Sequence, residues 1–288
     1  MKLTPPKRFR TVLAVLALVF LGVAGPANAA PTPTSGPISG GTAISISGIK
    51  FVEVDAGNNT MVALTDQGTV YTWGRNDFGQ LGNGTTTASF TPVQVKGVNG
   101  VGYLTGVTHV SAGQLHILAS TATGVYAWGR NGDGQLGDGT ITDRWTPVQV
   151  LGGGGSGLFP GPTAISAGEF HSLALTADGL FAWGSNGYGE LGDNTQSQRR
   201  SPVQVKGVGG TGFLTGVTAI AAGLQSSVAL GSTDVYAWGK NTAGQLGIGS
   251  TDNSYHPVPN KVKDSSGNGF LSGATAVSAG QAFAMALL

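Results

Sequence analysis

The chain has no cysteine. That count alone excludes a disulfide framework, a zinc–thiolate site and thiol catalysis, so stability must come from burial and ladder hydrogen bonds. Charge is scarce as well, at 10% of the 288 residues. Beyond the first 29 residues there is no apolar run of membrane-spanning length and no sustained helical period. Chain-turning residues, in contrast, abound: 50 Gly and 13 Pro. Gly at this frequency without a strict triplet excludes collagen. A hydrophobic content of 40% is enough for a core and excludes a disordered chain. These exclusions leave a β-rich globular protein with many turns.

The first residues differ in kind. Lys2, Lys7, Arg8 and Arg10 make a basic start, Thr11 to Ala24 is an apolar run of 14 residues, and Ala27-Asn28-Ala29 is a small-x-small site. This pattern predicts a secretory signal peptide over residues 1–29, cleaved after Ala29, and hence a secreted, extracellular protein with no membrane span after cleavage. The leader holds four of the 15 Lys+Arg and none of the 14 Asp+Glu. The mature chain has 11 basic against 14 acidic residues, a net of −3, and the pI of about 8.0 belongs to the leader. Without a basic patch, nucleic-acid binding is disfavoured. Residues 30–48 read as a Pro/Thr/Ser/Gly-rich linker. Within it, Thr42–Ser47 alternates apolar and polar as a short strand does, which would supply one strand to the folded region.

From residue 49 the chain repeats itself. Val125-Tyr-Ala-Trp-Gly-Arg-Asn-Gly-Asp-Gly-Gln-Leu-Gly recurs with small changes from Val70, Leu180 and Val235. Trp73, Trp128, Trp183 and Trp238 stand 55 residues apart, and Pro92, Pro147, Pro202 and Pro257 keep the same spacing. Each repeat offers four strands. One ends in Ala-Gly (Val107–Gly113), a second is of the Ser172-Leu-Ala-Leu type, a third is Val-Tyr-Ala-Trp, and a fourth is Pro-Val-Gln-Val. A turn such as Ala177-Asp178-Gly179 joins the second to the third. Four short antiparallel strands at a fixed period make a propeller blade, because one unit cannot bury its apolar face alone. The fold class is therefore all-β, a β-propeller of four-stranded antiparallel blades.

The Trp-Gly-x-Asn-x-x-Gly-Gln-Leu-Gly stretch, with Ala167-Gly-Glu-Phe-His-Ser-Leu-Ala-Leu175, resembles the regulator of chromosome condensation repeat. The resemblance covers about residues 50–288 and implies a β-propeller, seven-bladed in the best-known members. The count departs from that pattern. The Ala-Gly strand pair occurs five times and the Trp-Gly half four times, giving about four and a half repeats and an incomplete ring.

The residues that suggest chemistry mostly have blander explanations. Gly132-x-Gly134-x-x-Gly137 and Gly187-x-Gly189-x-x-Gly192 match a dinucleotide fingerprint but open no helix, so they form no phosphate cradle and no cofactor is expected. Asn131, Asp133, Gln135 and Asp138 resemble a calcium loop. However, Leu136 stands where such a loop needs Gly, and turn chemistry accounts for the Asn and Asp, so no metal is expected. His116 and His171 share one repeat position and read as strand-start residues with hydrogen-bonded rings. No nucleophile elbow and no forced carboxylate pair point to catalysis, so catalytic residues: none.

Loops after the first and third strands of a blade open on one face, and there the repeats vary most. Phe78, Asp133, Tyr188 and Ala243 form one column; Phe90, Trp145, Arg200 and Tyr255 form a second; and Gln114-Leu115, Glu169-Phe170 and Leu224-Gln225 form the Ala-Gly loops. Trp, Tyr and Arg dominate protein–protein hot spots. The expected contacts for a partner are Phe78, Phe90, Asp133, Trp145, Phe170, Tyr188, Arg200 and Tyr255. On the opposite face, Tyr103-Leu104, Leu158-Phe159, Phe213-Leu214 and Phe270-Leu271 hardly vary and read as loop anchors. These columns imply a non-enzymatic binding module for a protein or surface polymer. Two alternatives stand beside it: a repeat fragment of a larger surface protein, and an inhibitor like the secreted β-lactamase inhibitors, which are similar in fold and export. Nucleotide exchange on a small GTPase, the activity of the family's namesake, fits poorly with a leader and an uninterrupted period.

Overall fold

The structure, a computed structural model, describes residues 48–288. The leader, most of the linker and Thr42–Ser47 lie outside the described residues. The described chain folds into eighteen strands. The first sheet holds β1 (Phe51–Ala56), β2 (Thr60–Thr65), β3 (Val70–Gly74) and β4 (Ser89–Gln94), and the second holds β5 (Val107–Ala112), β6 (His116–Thr121), β7 (Gly124–Gly129) and β8 (Arg144–Gln149). The third comprises β9 (Ala164–Ala167), β10 (His171–Thr176), β11 (Gly179–Gly184) and β12 (Arg199–Gln204), and the fourth β13 (Val217–Ala222), β14 (Ser226–Gly231), β15 (Val235–Lys240) and β16 (Tyr255–Lys261). A two-stranded half-blade, β17 (Ala276–Ala279) and β18 (Ala284–Leu287), completes the set. Every sheet runs in chain order and every pair is antiparallel.

The first strand of each sheet packs on the first strand of the sheet before it, so β1, β5, β9, β13 and β17 form the inner edge of the arc. Backbone bonds tie their loops together: Gln114 N donates to Gly168 O at 3.1 Å, Glu169 N to Gly223 O at 3.2 Å and Leu224 N to Gly280 O at 3.2 Å. Among the described residues the sheets do not close into a ring. The core therefore lies between successive sheets. One cluster joins Val62, Leu64, Val70 and Val95 of the first repeat to Ile117, Ala119 and Trp128 of the second.

The recurring tryptophans are inter-sheet clamps. Trp128, Trp183 and Trp238 are fully buried, and their indole Nε1 atoms donate to the carbonyls of Gln80, Gln135 and Glu190 in the preceding repeat at 2.8–2.9 Å. The glycine after each Trp sits in the left-handed region, at φ 104° for Gly129 and Gly184, and the ladder shifts register there. The glycine that closes the Gly-Gln/Glu-Leu-Gly run in the first three repeats, Gly82, Gly137 and Gly192, admits the next repeat's indole. A Cβ on Gly137 would lie 2.8 Å from Trp183 Nε1. His116 and His171 reinforce the same joint, with Nε2 3.0 Å from Ser172 Oγ and 2.9 Å from Ser227 Oγ. Those serines in turn donate to the Gln135 and Glu190 carbonyls, each at 2.8 Å.

One equivalence read from spacing is corrected by the pairing. Gln94, Gln149 and Gln204 face Tyr71, Tyr126 and Phe181, but Lys261 faces the corresponding Tyr236. The fourth repeat therefore carries two extra residues in the loop before β16. Pro259, not Pro257, is the counterpart of Pro147 and Pro202. Pro257 occupies the place of Trp145 and Arg200: its carbonyl accepts from Asn194 N, as theirs accept from Gly84 N and Gly139 N. Tyr255 thus lies two residues ahead of the column it was expected to continue.

Candidate recognition face

The long loop after the third strand is built on its Asn. Asn131 Oδ1 accepts from Leu136 N at 3.0 Å, while Nδ2 donates to Asp138 Oδ1 and to the carbonyls of Thr140 and Thr142 at 3.1–3.2 Å. Asp138 Oδ2 closes on Arg144 at 2.7 Å. Burial pushes the Asp138 carboxyl up, but the Thr140 and Arg144 bonds together outweigh it and hold it below its ordinary value. These oxygens are engaged within the loop, so turn chemistry accounts for the recurring Asn and Asp.

The same loop presents the variable column. Gln80 Oε1 accepts from Phe78 N, Gln135 Oε1 from Asp133 N and Gln245 Oε1 from Ala243 N, each at 2.9 Å. In the third repeat Glu190 Oε2 accepts from Tyr188 N at 2.7 Å and Oε1 from Ser185 Oγ at 2.8 Å. Burial pushes the Glu190 carboxyl above its ordinary value. Between the unfolded and folded pKa the folded chain therefore holds more protons, and stability falls as pH rises through that window. Glu190→Gln, which copies the other three repeats, is expected to raise the melting temperature by about 2–4 °C at pH 7.5. The gain should vanish near pH 4. Unchanged or lower melting at pH 7.5 contradicts this account.

Around these loops runs a series of cation–aromatic pairs. Arg130 lies 4.4 Å over the Phe170 ring and 3.3 Å from Asp133. Lys240 Nζ lies 4.7 Å over Tyr188, and Tyr188 meets Tyr255 edge-on at 5.8 Å between centroids. The Lys240 ammonium also donates to Gln225 Oε1 at 2.8 Å. Glu169 stands in the field of both cations. Burial raises its carboxyl above the ordinary value, a bond from Gln114 and the charges of Arg130 and Lys240 oppose this, and its Oε2 is buried with no partner among the described residues. Four expected contacts are thus drawn into one patch across the second to fourth repeats, Asp133, Phe170, Tyr188 and Tyr255; Phe78 holds the equivalent loop position in the first repeat, outside that patch.

The second column behaves differently. Trp145 and Arg200 are exposed, yet their backbones close on the preceding loop. A Cβ on Gly79 would meet Trp145 Cα at 2.6 Å, and one on Gly134 would meet Arg200 Cα at 2.9 Å. Phe90, with no described sheet before it, is 93% exposed. On the opposite face each apolar pair splits: Leu104, Phe159, Leu214 and, less deeply, Leu271 turn inward, while Tyr103, Leu158, Phe213 and Phe270 stay out. Lys96, Lys206 and Lys263 cap three of the outward rings.

Fanned four-stranded sheets clamped by buried indoles, with variable loops on one side, define the β-propeller class. Residues 21–288 match the RCC1-like domain family, and the chain belongs to it. It is 33% identical over 252 residues to the ultraviolet-B receptor UVR8 of Arabidopsis thaliana, covering 86% of this chain and 52% of that protein. It is 36% identical over 218 residues to the probable E3 ubiquitin-protein ligase HERC4 of Homo sapiens, covering 74% of this chain and 20% of that protein. Prp20p of Saccharomyces cerevisiae, solved with a study of its binding to Gsp1p and histones, matches with a TM-score of 0.64 at 23% identity, over 84% of this chain and 56% of that one. The chain spans about half the length of UVR8 and a fifth of HERC4. Among the described residues no helix is long and apolar enough to cross a membrane.

Arg130 and Lys240 escape the sequence reading. They follow the Trp-Gly pair directly, in a column that reads Arg75, Arg130, Ser185, Lys240, and this variation was the signal.

Proposed function

We propose that the chain is a non-enzymatic binding module, exported by its leader, that holds a protein or surface polymer against the loop face of the arc. The observation that carries this reading is the patch of Arg130–Phe170 and Lys240–Tyr188–Tyr255 pairs contributed by three successive repeats. Aromatic rings held rigid by cations offer contact area at low entropic cost, as hot spots do. The family is consistent with binding: UVR8 is a receptor, and Prp20p is described with its binding to Gsp1p and histones.

The test is a triple variant, Phe170→Ala, Tyr188→Ala and Tyr255→Ala, compared with wild type in quantitative pull-downs from native extracellular medium. At about 2 kcal/mol for one such anchor, recovery of the captured partner should fall by about 30-fold or more. Melting should shift by only a few degrees. Undiminished capture moves the interface off this face. Mass spectrometry of the exported chain checks for a new N-terminus at Ala30.

A further inference from the structure

Midway along the described chain, between the second and third repeats, lies a cleft of about 460 Å³. That volume falls within the range of small-molecule sites. The turn at Gly153–Gly155 forms one wall and packs against β12. Phe181, Pro202 and Val203 form an apolar floor. Gly153 stands where the neighbouring joints carry Val98 and Val208. Its φ lies outside the left-handed region, so the backbone does not require glycine there. A Cβ at this position would lie 3.2 Å from Phe181 Cε1, so the missing side chain uncovers the Phe181 ring. Phe181 itself replaces Tyr126 and Tyr236 of the neighbouring repeats and brings no hydroxyl. An edge-on contact with Phe159, at 5.4 Å between centroids, holds the ring in place. Two cations line the cleft, and they differ. Arg199 is neutralised by Asp193 at 2.7 Å. Lys206 joins no ion pair among the described residues, and its ammonium lies 4.7 Å over the Phe213 ring. In the second repeat Leu151 holds the place of Lys206.

We infer that this cleft binds a small aromatic carboxylate, with its ring against Phe181 and Val203 and its carboxylate on Lys206. The floor selects the ring. A gap one side chain wide over a fixed aromatic suits a flat apolar group, which gains ring-on-ring contact as well as burial. The charge selects the anion. With Arg199 already cancelled by Asp193, the cleft offers one uncompensated positive charge, which a carboxylate matches and a phosphate dianion exceeds. The Phe213 ring beneath the Lys206 ammonium favours its position at the cleft and leaves its outer side for the ligand. The flanking joints lack this combination: the first has Val98 over Tyr126 and Leu151 for the cation, and the third has Val208 over Tyr236. The cleft shares no residue with the loop-face patch, so it stands or falls separately from the binding module.

The probe is 6-fluoro-2-naphthoate, titrated into the full chain and followed by its fluorine resonance, with 6-fluoro-2-naphthalenemethanol as the neutral isostere. The expected result is saturable one-to-one binding of the acid, with the alcohol bound about 10-fold more weakly. Lys206→Leu, which copies Leu151, should weaken the acid to the level of the alcohol and leave the alcohol unchanged. Gly153→Val, which copies Val98 and Val208, should weaken both probes by about 10-fold or more without lowering the melting temperature. Failure of the acid to saturate by about 1 mM overturns the inference. So does an acid bound equally well by wild type and Lys206→Leu, or equally well by wild type and a folded Gly153→Val. Where Gly153→Val does not fold, Lys206→Leu decides alone, because it only removes a charge from a half-buried side chain.

Discussion

Trp183→Ala is expected to cost about 4 kcal/mol, the upper range for truncating a buried aromatic. The ring is fully buried between the second and third sheets. It packs against Phe159 at 5.8 Å between centroids, and its N–H serves the Gln135 carbonyl. Truncation leaves a cavity at the joint and removes one of the two donors to that carbonyl, Ser172 Oγ being the other. Trp73→Ala is the control. It has the same sequence context, but no described sheet precedes it and its side chain is only half-buried, so about 1 kcal/mol is expected. The comparison separates clamping from hydrophobicity, because the two residues differ in what covers them. Chemical unfolding of both variants beside wild type is the measurement. Equal losses would mean that the indole contributes within its own sheet, and the clamp would have to be abandoned. In an arc where each sheet touches only its neighbours, the damage should also be local. Amide exchange in Trp183→Ala should speed up first along β6, β10 and β11, and least in β1.

Why the architecture was legible and part of the site was not has a physical explanation. The clamp needs an indole, a left-handed glycine after it and a glycine opposite it, and no other residues satisfy those three demands. They recur at fixed spacing and reveal the repeat even in one sequence. The Asn that builds the long loop is fixed for the same reason. The two-residue insertion in the fourth repeat was hidden because Pro257-Val-Pro259 offers a proline at both the spaced and the paired position. Spacing selected the first, while hydrogen bonding selects the second. On the loop face the aromatic types were visible, but the cations that hold them were not. Arg130 and Lys240 reach rings contributed by other loops, and a contact between repeats leaves no trace in the order of residues. Trp145 illustrates the converse: its side chain was read as a contact, whereas its backbone is part of a packed joint.

Acid should weaken the chain well before its carboxylates are exhausted, through His116 and His171. Both rings are fully buried, and burial pushes their pKa down to about 3 and about 4 from 6.5; for His116 the nearby His171 and Arg130 charges add to it. The sign comes from proton counts. Between the folded and unfolded values the unfolded chain binds the protons and the folded chain does not, so stability is complete above about pH 7 and falls as pH drops toward the folded values. At 1.36 kcal/mol per pH unit, each ring costs about 2 kcal/mol by pH 5, or about 4 for the pair. Glu53, Glu169 and Glu190, raised by burial, act in the opposite sense and gain on acidification. A wild-type titration therefore mixes the two, and a variant is needed to isolate the imidazoles. His171→Ser copies Ser226, its counterpart in the fourth repeat. It gives up the bond to Ser227 Oγ and some packing, so it starts less stable at pH 8. From there to pH 5 it should lose about 2 kcal/mol less than wild type, a crossing of slopes readable in urea unfolding at the two pH values. Parallel slopes would show that His171 is charged in the folded chain, and the relay from imidazole through serine to the clamped carbonyl would not stand. The lone acceptors at His116 Nδ1 and His171 Nδ1, buried without partners among the described residues, explain why charging is so costly: a proton added there would find no oxygen to meet it.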